Sequence, residues 1–231
     1  MTQEAGCPIE HGPRDRPAIA LTFDADLSRH LPASRAAQRA DPHRKILAQL
    51  REGRVPATLF LTGVWVEANR EDAESLRSEP FFEIGNHSYS HHAFAGPCFG
   101  LPVLSSRAAK REDVLRGAAV ISEVTGRTPR YFRFPGGCYL PQDVALVRSL
   151  GAEPIQWDVL SGDAFDPDPV SVTKRILDAV RPGSIVVMHL SEPRQSVAAE
   201  VLTLVLPQLR SRGLDLVTLS ELLEPMTSGL D

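Results

Sequence analysis

A parallel α/β sheet or barrel is the fold class that the sequence predicts, and three observations carry it. Short apolar, strand-like segments alternate with helix-like ones along the chain. The residues best suited to chemistry fall at the C-terminal ends of the strand-like segments or just beyond them, which is where α/β barrels build their sites. A chain of 231 residues with no linker, repeat or low-complexity tract suits one large domain.

Ile19 to Asp24 is the first strand, apolar throughout until it reaches its carboxylate. Pro42 to Glu52 reads as a helix with Ile46, Leu47 and Leu50 on one face and Asp41-Pro42 as cap and first position. Ala57 to Leu61 is the next strand, followed by a helical stretch over Val64 to Arg77 and a short strand at Phe82 to Ile84. Lys110 to Thr125 is helical and ends at Gly126. Tyr131 to Phe134 is extended, and Asp143 to Leu150 is a helix stopped by Gly151. Pro154 to Val159 reads as one strand, Val170 to Val180 as a helix and Ser184 to Met188 as a buried strand. Ala198 to Arg212 forms a helix closed by Gly213, and Leu216 to Val217 a last strand. Leu27 to Ala40 and Ala93 to Ser106 carry no periodic signal and read as long loops on the catalytic face.

The net charge of -4 and pI near 6.0 give no reason to expect nucleic acid as a partner. Residues 1–16 contain Glu4, Glu10, Arg14, Asp15 and Arg16 and no apolar core, so they read as neither signal peptide nor anchor. No apolar run approaches the roughly 20 residues that span a bilayer. Cys7, Cys98 and Cys138 show no paired spacing and are odd in number, which argues against a disulfide framework and for a reducing, cytoplasmic setting. Cys138 reads as a reduced bystander thiol.

His87 and His91 stand four apart, downstream of Asp24 and Asp26. Two imidazoles and one carboxylate are the protein ligands of a hydrolytic zinc centre with an open position, and a second carboxylate can serve as base. On a strand, residues i and i+2 share a face, so Asp24 and Asp26 can point the same way, although strand-end carboxylates also cap loops. Arg133, between Phe132 and Phe134, can grip a carboxylate in two parallel hydrogen bonds. Pro135-Gly136-Gly137 lets backbone approach a substrate closely. His189 ends an apolar strand, a position that suits either a core histidine or a proton donor. His92 reads as outside the ligand set, and Asp158, Asp166 and Asp168 as solvated or turn residues.

The ordered series Thr22-Phe23-Asp24-Ala25-Asp26, His87-Ser88-Tyr89-Ser90-His91, Arg133-Phe134-Pro135-Gly136-Gly137, Trp157 to Asp163 and Val186-Val187-Met188-His189 resembles that of the polysaccharide deacetylases, the NodB-like family 4 carbohydrate esterases. The resemblance runs from about Pro17 to Leu223, which implies a domain over 17–224 with an extension at 1–16 and a tail at 225–231. It implies a distorted, seven-stranded (β/α) barrel of TIM-like form. It further implies a divalent ion, zinc before cobalt, on Asp26, His87 and His91, with Asp24 as base, Arg133 holding it, and Asp163 pairing with His189 as acid. The family places its two aspartates side by side, whereas Ala25 intervenes here. Gly136 stands where the family has a tyrosine and retains only the backbone N–H of an oxyanion donor. Trp157 and Val187 are implied to line the substrate site. Ala164 and Val187 replace a tryptophan and a leucine that enclose the acetyl methyl in the family, so a wider acyl pocket is expected.

The implied activity is deacetylation of an N-acetylated saccharide or another small amide, with no nucleic acid and no membrane as partner. Two other readings stand beside it: an amidohydrolase of non-polymeric or cyclic amides, and a non-catalytic carbohydrate-binding barrel. Nine Phe, two Trp and three Tyr do not suggest a multi-subsite stacking platform.

Overall fold

The computed structural model describes residues 6–27, 42–190 and 197–224. Most of the expected loop at 27–40 and the tail at 225–231 lie outside the described residues. Strand β1 (Ala18–Ala25) is buried along its whole length, as expected of a continuous apolar run at the centre of a parallel sheet. It is followed by α1 (Pro42–Glu52), β2 (Ala57–Leu61), α2 (Gly63–Ala68), α3 (Arg70–Ser75) and β3 (Phe82–Asn86). Then come α4 (Arg107–Thr125), β4 (Tyr131–Phe132), α5 (Pro141–Ser149), β5 (Glu153–Pro154) and β6 (Val159–Leu160). The described chain closes with α6 (Pro169–Ala179), β7 (Ile185–His189), α7 (Ala198–Ser211), β8 (Asp215–Val217) and α8 (Leu219–Leu223).

All pairings between these strands are parallel, in the order β5-β4-β3-β2-β1-β7-β6, with β8 added beside β1. Among the described residues this is a curled, seven-stranded half-barrel with an eighth short strand off its path. The register matters for the site. Asp24 lies opposite Phe60 on one side and His189 on the other, so the ends of β1 and β7 present their polar residues at one level.

The helical stretch expected over Val64 to Arg77 divides at Asn69, where the backbone turns out of helical geometry and α3 restarts. The single strand expected over Pro154 to Val159 is a correction. Its two ends are separate strands at opposite edges of the sheet, β5 on β4 and β6 on β7. The segment between them crosses the open side of the barrel. Residues from the N-terminal segment fill that opening. Ile9 exchanges backbone hydrogen bonds with Pro154 and Gln156, and Gly12 N–H donates to Gly183. Asp158 is not a solvated turn residue but the clamp of this seam. It accepts from Arg14 Nη2 at 2.7 Å, Ser184 Oγ at 3.0 Å and Ile185 N at 2.8 Å.

The expectation of unpaired cysteines is also overturned. Cys98 and Cys138 form a disulfide with their Cα atoms 6.1 Å apart, leaving Cys7 free and exposed. The pairing is non-local, 40 residues in separation, and arises because the loop at 93–106 folds down onto the turn after β4. Ala93 N–H donates to Pro102 O, Leu104 N–H to Ala93 O and Phe94 N–H to Cys138 O, which fixes the loop there. The cysteine count therefore no longer argues for a reducing compartment. Among the described residues no helix is long and apolar enough to cross a membrane.

Candidate metal centre

Asp24 is the penultimate residue of β1, and Asp26 follows the strand's end. His87 comes directly after β3, and His91 closes the loop that begins there. This loop departs from ordinary backbone geometry. Ser88 and His91 both have positive φ, 69° and 57°, a conformation that costs a non-glycine residue on the order of 1 kcal/mol or more. Local hydrogen bonds hold it there. Ser88 Oγ accepts from His91 N at 3.2 Å, and Asn86 Oδ1 accepts from Ser88 N at 2.9 Å. From α4, Asp113 Oδ2 accepts from the N–H groups of Tyr89 and Ser90 at 3.2 and 3.3 Å. Gly117, one turn further along α4, allows the close approach, because a Cβ there would meet Asn86 Oδ1 at 2.6 Å and the Ser88 backbone at 2.7 Å.

Three atoms converge at the centre. Asp26 Oδ1 lies 3.2 Å from His87 Nε2 and 3.3 Å from His91 Nε2, and the donor atoms of all three residues fall within 4.8 Å of one another. Tetrahedral ligands about 2.0–2.1 Å from a zinc-sized ion sit roughly 3.3 Å apart, so the spacing suits such an ion. The tautomer fits as well. His87 Nδ1 stands 2.9 Å from Arg133 O, and a carbonyl only accepts, so Nδ1 carries a proton and Nε2 is the nitrogen left to offer a lone pair when the ring is neutral. His92 is not among the converging donors.

Burial works against charge on Asp26, but His91, His87 and His189 outweigh it and hold the carboxyl well below the usual carboxylate range. Burial drives His91 down to about 4 against the attraction of Asp26, which leaves it a neutral donor at physiological pH. For His87 burial opposes the charged form, but Asp24 and Asp26 prevail and raise its pKa.

Around the three donors stand the remaining residues that the sequence singles out. Arg133 is fully buried and donates Nη1 to Asp24 Oδ1 at 2.8 Å and Nη2 to Gln156 O at 3.2 Å. Its guanidinium lies over the Phe60 ring, 4.1 Å from the centroid, and 5.5 Å from that of Trp157. Asp24 Oδ2, the oxygen Arg133 does not engage, faces His87 Nε2 at 3.8 Å. On the other flank, Asp163 Oδ1 lies 2.8 Å from His189 Nδ1, and Asp163 Oδ2 accepts from the His189 backbone N–H. Ser161 Oγ donates to Asp163 at 2.7 Å. Burial disfavours the His189 cation, yet Asp163 overcomes it and raises the pKa well above the ordinary histidine value. The ring's Nε2 then faces Asp26 Oδ2 at 3.8 Å.

Gly136 has φ of 62° in the turn Pro135–Gly137, and a Cβ there would meet Cys98 Sγ at 2.6 Å. The disulfide thus occupies the space a side chain at 136 would need. Trp157 packs against Gly137, where a Cβ would lie 2.8 Å from its ring. Val187 is buried within β7. Asp168 caps α6 by accepting from Val170 N, and Asp166 pairs with Arg175; both lie outside the site. Sequence reading misses Asn86, Asp113, Gly117, Gln156 and Ser161. Asn86, Gln156 and Ser161 carried a signal, each standing within a motif already quoted or beside one.

Residues 11–155 match the polysaccharide deacetylase family. The chain is 28% identical over 221 residues to the uncharacterized protein YlxY of Bacillus subtilis, covering 94% of this chain and 60% of that protein's length. It is 26% identical to a peptidoglycan-N-acetylglucosamine deacetylase of Bacillus cereus, over 92% of this chain and 70% of that one. Among solved structures it resembles a family 4 carbohydrate esterase pseudoenzyme of Bacillus anthracis, with a TM-score of 0.77 and 26% identity over 95% of this chain and 69% of that one. A family 4 acetyl xylan esterase of Clostridium thermocellum, in complex with a cobalt ion, gives a TM-score of 0.71 and 27% identity, covering 89% of each chain. The sheet, the donor set and the extent of the match agree: this chain belongs to the polysaccharide deacetylase family.

Proposed function

We propose that the protein is a metal-dependent deacetylase that hydrolyses the N-acetyl group of an amino sugar or short N-acetylated saccharide and releases acetate. The observation that carries the reading is the presence, around one point, of both a buried three-donor set and two proton carriers each held by its own partner, Asp24 by Arg133 and His189 by Asp163. Family membership alone would not suffice, since one of the similar structures is a pseudoenzyme. A barrel that only bound saccharide would not need a clamped carboxylate on one side of the donors and a raised histidine on the other.

Asp26, His87 and His91 would hold the ion, zinc in this reading; when bound it polarises the acyl carbonyl and acidifies a water. Asp24, with Oδ1 engaged by Arg133, takes the attacking water's proton on Oδ2. The Gly136 N–H donates to the oxygen that gains charge as the carbonyl becomes tetrahedral. His189, its Nδ1 proton held by Asp163, delivers the proton on Nε2 to the departing nitrogen. The C–N bond then breaks, leaving acetate and the free amine. Trp157 lines the side of the site beyond Arg133.

Acetate release from N-acetylglucosamine, its short β-linked oligomers and acetylated xylan, by apo and zinc-loaded protein, tests the reading. Zinc-dependent release from the N-acetyl substrates is expected. Release from acetylated xylan alone would replace the amide with an ester, and release from none would favour a binding barrel.

Two further outcomes are expected here. Protonated His189 is required for leaving-group departure, so kcat falls as pH rises through its elevated pKa. Asp163→Asn removes the cause of that elevation, and the alkaline limb of the kcat profile moves to lower pH. An unmoved limb would separate Asp163 from the acid. With Ala164 and Val187 beside the site, propionyl and butyryl forms of one amino sugar should turn over within about tenfold of acetyl. A sharp acetyl preference would show that another side chain fills the pocket.

A further inference from the structure

The largest exposed apolar side chains in the described residues include Phe99 and Phe165, 74% and 67% exposed, and their rings meet at 5.7 Å between centroids with a tilt of 35°. Neither is a core residue, and each is anchored to a different part of the site. Phe99 follows Cys98, which is tied to Cys138 by the disulfide, and its ring edge would lie 3.4 Å from a Cβ at Gly136. Phe99 has φ of 48°, an unfavourable conformation for a bulky residue, held by the turn in which Leu101 N–H donates to Cys98 O. Phe165 lies two residues beyond Asp163, its N–H donating to Gly162 O. One ring therefore stands against the turn with the proposed oxyanion donor and the other on the loop whose Asp163 holds His189.

These two loops follow strands toward opposite ends of the sheet, the β3–β4 side and β6, an interval that the segment at 155–158 and the N-terminal residues close at the level of the strands. The aromatic contact bridges the same interval beyond the strand ends. Paired aromatics contribute about 0.5–1.5 kcal/mol, little for stability at this exposure but enough to keep a rim closed.

We propose that Phe99 and Phe165 form a specificity-determining rim that closes one end of the substrate cleft, so that the site accepts a terminal or single acylated sugar unit and excludes interior units of a polymer. This inference rests on the deacetylase reading.

The test compares kcat/KM per acetyl group on N,N′-diacetylchitobiose and on soluble, partly acetylated chitosan polymer, for the zinc-loaded wild-type protein, F99A, F165A and the double variant. Wild type should favour the disaccharide by about tenfold or more, and the double variant should lose that preference through a rise in polymer turnover. Both positions are surface ones, and circular dichroism and metal content should be unchanged. An active wild type whose preference is the same in the double variant would overturn the proposal while leaving the deacetylase reading intact. So would loss of turnover on both substrates in a folded, metal-loaded double variant, since the rings would then support the chemistry itself. Absence of acetate release by wild type from either substrate would remove the deacetylase reading and the rim with it.

Discussion

Asp26→Ala is expected to purify with little metal, while Asp24→Asn keeps its full complement and turns over about 10² to 10⁴-fold more slowly. The two carboxylates are two residues apart on one strand end, yet their surroundings differ. Asp26 Oδ1 has two imidazole nitrogens within 3.3 Å, whereas Asp24 is committed through Oδ1 to Arg133 and lies 3.8 Å from His87. Losing Asp26 removes one of three donors; in the proposed mechanism, losing the charge of Asp24 removes the acceptor of the water's proton and leaves the three donors in place. His87→Ala and His91→Ala should follow Asp26→Ala. Metal per chain, measured beside kcat, decides the matter. If Asp24→Asn is metal-poor and Asp26→Ala is not, the intervening Ala25 has exchanged the roles.

Replacement of Arg133 by methionine is expected to cost about 3–5 kcal/mol of folding stability, because it strands the Asp24 carboxylate in a buried setting without its partner. The loss should appear in chemical denaturation of the apo protein as a lower midpoint at constant slope. Arg133→Lys keeps the charge but cannot bridge Asp24 and Gln156 O together, so it should fold and turn over slowly. Metal content should hold in Arg133→Lys, since His87 is oriented by the backbone carbonyl of residue 133 rather than by its side chain. A lysine variant that lost its metal would show that the guanidinium, not the carbonyl, positions the donor loop.

The strands that build the site were legible because they are buried on both faces. β1 and β2 are continuous apolar runs, and their ends can be read from the change to polar residues. Asp24, Asp26 and His189 were visible because each stands at the end of such a run, His87 through its spacing to His91, and Arg133 as a charge between Phe132 and Phe134. The run at 154–159 misled for the same reason: Ile155 is buried in the core and Trp157 packs, half-buried, against the Gly137 turn, so apolar content there marks a crossing segment rather than a strand. Helix α4 hides its role differently. Its inward face carries Lys110, Asp113 and Gly117, which serve Asp143, the histidine loop and a close approach, so its function lies in polar and small residues that periodicity does not weigh. The disulfide escaped notice because its partners meet only through the path of the loop at 93–106.

The central claim is that Asp26, His87 and His91 hold a divalent ion on which hydrolysis depends, with the proton carriers already in place beside it. Titrating zinc into apo protein while recording acetate release from N,N′-diacetylchitobiose tests it most directly. Release should rise in proportion to occupancy and level off at one ion per chain. Protein carrying one ion per chain at these three residues yet releasing no acetate above buffer would contradict it.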